Sequence, residues 1–154
     1  MHRTIKQSQS GFGLVESLVA LVVVSVGMIG IAVLYGQGLG ASRTAFYRTQ
    51  AVNLASDMAD RIRLNRRGGG SYAAAAGAPN GCQAGGTVDC TVAQMASQDI
   101  LEWKAQVGNQ LPGGVGLIAY SGTTPPTYSI SVSWQEVGSV QPLTYTVAVR
   151  IPDL

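Results

Sequence analysis

From Phe12 to Leu34 the chain reads FGLVESLVALVVVSVGMIGIAVL, an apolar run with one charge in it, Glu16. As a helix rising about 1.5 Å per residue, it would cover roughly 34 Å, enough to cross the hydrocarbon core of a bilayer. A helix apolar on every side has no wet face to leave in solvent, so it is buried in a membrane or among other helices. The rest of the chain must be organised around that constraint.

The ten residues before Gly11 carry His2, Arg3 and Lys6 and no acid. Positive charge ahead of an apolar span holds that end in the cytoplasm. A secretory signal would place its small-residue cleavage site after a shorter apolar region. Here the small residue, Gly11, comes before the span. On these grounds an uncut single-pass anchor and a chain cut between Gly11 and Phe12 are both open.

Glu16 is costly at membrane depth, by a few kcal/mol or more. It either lies at the headgroup level, solvated and idle, or meets a positive partner in an assembled state, where low dielectric strengthens the pair. Cutting after Gly11 would create such a partner. The new α-amino group of Phe12 in one subunit could meet the Glu16 carboxylate of its neighbour.

Charge and residue types narrow the function classes. Lysine and arginine total 10 against 8 acids; without Arg3 and Lys6 the balance is 8 to 8. A near-neutral chain gives no reason to expect nucleic acid as a partner. The single histidine, His2, lies in the leader. The remainder is poorly stocked for acid–base, nucleophilic or metal chemistry, so neither an enzyme nor a cofactor is expected.

Beyond the span, Gly36, Gly38 and Gly40 make a soft point where the helix is expected to bend or unwind when packed in a filament. An amphipathic pattern then follows. Ala51, Leu54, Ala55, Met58 and Ile62 form one apolar stripe, while Asp57 and Arg61, four apart, are expected on a solvated face. Arg63, Arg66 and Arg67 ahead of Gly68 make a stop signal. One helix is therefore expected over 12–67, with 12–34 as its membrane or assembly half.

Residues 68–154 are expected to form the head. The Gly-, Ala- and Pro-rich stretch from Gly68 to Gly86 reads as a surface loop. Cys82 and Cys90, with no histidine beside them, cannot complete a tetrahedral zinc shell, and a disulfide is expected in a segment outside the cytoplasm. A short helix is expected over 91–108, capped by Thr91 and burying Met95, Ile100, Trp103 and Val107. Strands are expected over 115–120, 128–134 and 143–151, the last two alternating strictly between apolar and polar residues. The fold class is α+β: a long N-terminal helix packed against a three- to four-stranded antiparallel meander.

The segment KQSQSGFGLVESLVALVVVSVG resembles the class III signal of type IV prepilins, with a basic leader, Gly11 at the cut, Phe12 next and Glu16 fifth after the cut. Gly13 stands where that family usually has Thr or Ser. The resemblance continues through AVNLASDMADRIRLNR (Ala51 to Arg66), CTVAQMASQDILEWKAQV, LPGGVG and YSISVSW, which are similar to the PilV-like minor pilins.

The resemblance implies maturation by a prepilin peptidase, N-methylation of Phe12 and storage in the inner membrane with a periplasmic head. It also implies assembly with other minor pilins and the major pilin in a complex that primes or tips a pilus serving twitching motility. A pseudopilin of a type II secretion system would share Gly11, Phe12 and Glu16, and an uncut membrane-anchored adhesin is the third reading.

Overall fold

A computed structural model describes residues 13–74, 76–82 and 88–152. Gly11 and Phe12, on which the proposed cut falls, lie outside the described residues. The chain divides into two compact units, Met1–Arg43 and Thr44–Leu154. One helix, α1 (Leu14–Leu64), contributes to both.

In the first unit the described residues after Gly13 are all helical, and each side chain is exposed. Gly36, Gly38 and Gly40 are helical like their neighbours. The softening is expected only on packing in a filament, and the single chain does not test it.

The second unit holds the distal part of α1, a 3-10 helix (Arg66–Ala73), a second helix α2 (Val92–Gln110) and strands β1 (Val115–Ser121), β2 (Thr127–Trp134) and β3 (Leu143–Arg150). The strands form one antiparallel sheet in the order β1-β2-β3. Ile118 pairs with Ile130, and Ile130 with Val147, so the inward residues of all three strands fall in register. This is the α+β architecture, with three strands in the sheet.

The core is one cluster. From α1 come Ala51, Leu54, Ala55, Met58, Ala59 and Ile62; from α2, Ala96, Ile100, Trp103 and Val107; from the sheet, Ile118, Tyr128, Ile130, Val132, Trp134 and Val149. The period of 3.6 in α1 and of 2 in β2 aim these residues at one another. The outer face of β2 carries Ser129, Ser131 and Ser133, short polar side chains suited to a wet sheet face. Thr91 caps α2, accepting from the Gln94 backbone N–H while the Gln94 side chain accepts from the Thr91 N–H, a reciprocal capping box. Met95, expected inside, lies at the exposed margin, and Ala96 takes the buried place.

The largest departure follows α1. The helix stops at Leu64, three residues short of the expected end. Gly68 onward does not open directly into a surface loop, because Arg66–Ala73 coils as a 3-10 helix that buries Tyr72. Asn65 leaves helical geometry, and its side-chain amide donates to the Val92 carbonyl (2.8 Å) and the Tyr72 hydroxyl (3.2 Å). A side chain at Gly68 would strike the Tyr72 ring at 2.7 Å, and Gly69 takes φ 49°. The glycines therefore let the chain turn tightly enough to fold an aromatic residue under itself.

Candidate functional site: an exposed apolar helix and the head that carries it

The amino-terminal part of α1 is a surface that a single chain leaves uncovered. It contains an 18-residue window of mean hydropathy 2.7, none of it buried. Leu14 is 90% exposed, and Leu18, Leu21, Val23, Met28 and Ile31 are exposed along the run. A contiguous apolar surface of this extent on an isolated subunit marks a membrane or protein interface. A Cβ built at Gly27, Gly30, Gly36, Gly38 or Gly40 would meet nothing within 4 Å. These glycines are thus open notches where another helix can approach closely.

Glu16 sits in the first turn of α1, exposed, its backbone N–H donating to the Gly13 carbonyl at 3.0 Å. A carboxylate in that position is favoured by the positive end of the helix dipole. Among the described residues no cation pairs with it. Glu16 is therefore an exposed carboxyl group on an otherwise apolar surface.

In the head, three elements are tied together by polar groups at the partly exposed margin of the core. Arg61 was expected on a solvated face with Asp57. It does bind Asp57 (3.0 Å), but it also reaches across to α2, to Asp99 (3.2 Å) and Glu102 (3.3 Å). Asp99 in turn accepts from the Tyr72 hydroxyl at 2.6 Å. Burial works against the charge on Arg61, yet Asp57, Glu102 and Asp99 together hold its pKa above the ordinary value. The Gln98 amide, and then Arg61, hold the Glu102 carboxyl below the ordinary range against the effect of burial. Burial, seconded by Asp99, pushes the Tyr72 hydroxyl upward.

Sequence reasoning missed this hub because its members are far apart in the chain. The available signal was the spacing of Asp99 and Glu102, three apart and so on one side of α2.

Cys82 and Cys90 are joined as a disulfide, with Cα atoms 5.9 Å apart. Nearby, Gln98 is buried. Its carbonyl accepts from the Asn80 backbone N–H (2.7 Å), and its amide donates to Glu102 (2.8 Å). The Gly- and Ala-rich segment between the 3-10 helix and the disulfide is thus fastened to α2.

Two family models match. Residues 6–32 match the prokaryotic N-terminal methylation motif, which takes in Gly11, Phe12 and Glu16. Residues 34–101 match the model described as Type IV pilin Tt1218, covering the distal part of α1, the 3-10 helix and the first half of α2. Over these residues the chain is similar to type IV pilins. No curated protein and no solved structure matches it. A long N-terminal helix whose distal part shares a core with a three-stranded antiparallel sheet agrees with the pilin fold, and the sheet lies beyond the matched residues. The likeness is to a family of structural proteins rather than catalysts.

Proposed function

We propose that this chain is a minor pilin of a type IV pilus, stored in the inner membrane and drawn into a filament or its tip complex. The observation that carries the reading is Glu16. It is the one charge in the fully exposed apolar run 14–34 of α1, the fifth residue after a Gly11-Phe12 junction within the matched methylation motif. A prepilin peptidase cuts between Gly11 and Phe12, removing the basic leader on the cytoplasmic side and leaving an α-amine on Phe12, which becomes methylated.

The helix then leaves the bilayer and packs among neighbouring helices, with the head outside the inner membrane. Hydrocarbon tails and apolar helices are similar surroundings for leucine and valine, so the transfer costs little for most of the span. For Glu16 the two environments differ sharply. In lipid the carboxylate is unpaired, whereas in the bundle a neighbour's terminal amine lies within reach, and the pair gains from low dielectric. Glu16 therefore acts as a register pin between subunits. The sequence similarity of residues 51–66 and 90–107 to PilV-like proteins supports a minor over a major subunit, and a complex with other minor pilins that primes assembly.

The test is to express Glu16→Ala and Glu16→Gln from the native locus, then compare pili sheared from the cells with the membrane fraction. Both variants are expected at normal abundance in the membrane and reduced at least tenfold in the sheared fraction. Incorporation at the wild-type level would sink the pairing role. Loss of enzyme secretion rather than of twitching motility on deletion would move the chain to the pseudopilins.

A further inference from the structure

At the end of the head where α1 stops, three arginines from three elements line one cavity of about 290 Å³: Arg63 from α1, Arg66 from the 3-10 helix and Arg150 from the last position of β3. The remaining lining is Ile151 and Pro152. We propose that this cavity is a binding site for a phosphate-class oxyanion, a property separate from the assembly helix.

The charge arithmetic points to a ligand. Among the described residues that line the cavity or pair with its lining are three arginines and one carboxylate, Asp60, which only Arg63 binds. Arg66 is anchored from one side, its Nη2 donating to the Pro152 carbonyl at 2.7 Å, and its other N–H groups are left over. The Arg150 side chain makes no hydrogen bond or ion pair with a described residue. Like charges held together on a surface repel, and an anion between them relieves that repulsion.

Among the described residues the surplus is two positive charges, the complement of a phosphate dianion. Planar guanidinium forks present paired N–H donors suited to the several oxygens of such a group. Three forks offer more donors than the two oxygens of a single carboxylate can use. Buried Ile151 and neighbouring Pro152 add an apolar wall, so the cavity has room for a substituent carried by the phosphoryl group. Arg67, adjacent in sequence, is exposed and does not line the cavity, which makes it the natural control.

The experiment is isothermal titration of the full chain in dodecyl maltoside micelles at pH 7.5 and matched ionic strength. Inorganic phosphate is one ligand and phenyl phosphate the other. Saturable phosphate binding is expected, weakened about tenfold or more in Arg150→Gln and changed by less than about twofold in Arg67→Gln. Tighter binding of phenyl phosphate identifies a phosphoryl group on a larger molecule, and equal binding identifies free phosphate.

No saturable binding to the wild type, or equal weakening by both substitutions, overturns the site. Asp153 follows Pro152 in the sequence and lies outside the described residues, so Asp153→Asn is measured as well. Binding seen only in that variant overturns the proposal in favour of a cavity filled by the chain's own carboxylate.

Discussion

The indole Nε1 of Trp103 donates to the backbone carbonyl of Leu54 at 2.8 Å, joining α2 to α1 inside the core. Trp103 is fully buried, and Gly116 of β1 lies against the other part of its ring. A methyl group at Gly116 would fall 2.4 Å from Cζ3 and 2.6 Å from Cη2 of Trp103. One side chain thus sets the spacing of both helices and the first strand.

Gly116→Ala is therefore expected to destabilise the protein by about 1–3 kcal/mol through overpacking. In a Trp103→Leu background the same change should cost much less, because the ring it strikes is gone. Denaturant unfolding of the four proteins of this cycle measures the difference. Additive effects would mean that the ring and Gly116 do not meet.

Arg61→Gln removes the cation from a site shared with Asp57, Asp99 and Glu102. It should cost about 1–3 kcal/mol, since the carboxylates are left facing one another with part of their solvation lost. Restoring part of that loss with Arg61→Gln/Asp99→Asn would show that repulsion, not packing, carries the cost. Thermal unfolding of both variants checks it.

The same cluster sets the pH response. Glu102 is held below the ordinary carboxylate range, so its contribution is present above about pH 4.5 and is lost as the pH falls through its lower folded value. Tyr72 is shifted upward from 10.0, and its contribution is present below pH 10 and lost as the pH rises beyond that. Stability is expected to fall at both ends. Tyr72→Phe should flatten the alkaline limb, and Glu102→Gln the acid limb. A pH series of unfolding midpoints reads both.

Reducing the Cys82–Cys90 bond, or replacing both residues with serine, releases a loop closed across a separation of 8 residues. In the chain-entropy treatment that costs about 2–3 kcal/mol. The loss should appear in the unfolding of the head and leave the helicity of 14–43 unchanged in circular dichroism.

Much of this architecture was legible because it rests on short-range periodicity. The apolar stripe of Ala51 to Ile62, the alternation from Tyr128 to Trp134 and the Thr91 cap each depend on residues within a few positions of one another. The Arg61 hub, the burial of Tyr72 and the convergence of Arg63, Arg66 and Arg150 were not legible, because they depend on which distant elements meet. Tyr72 sat in a stretch whose Gly and Ala content reads as open loop. Its burial needs the tight turn at Gly68 and Gly69, and the acceptor Asp99 lies 27 residues further on. At the assembly end the reverse holds. Gly11, Phe12 and Glu16 are read from their order alone, and the chemistry proposed to join them lies between molecules.

The most direct test of the account is intact mass and N-terminal sequencing of the protein recovered from cells that carry a prepilin peptidase. The account predicts a chain that begins at N-methylated Phe12. A chain that still begins at Met1 would contradict it, leaving Glu16 without its partner amine and the helix as a plain membrane anchor.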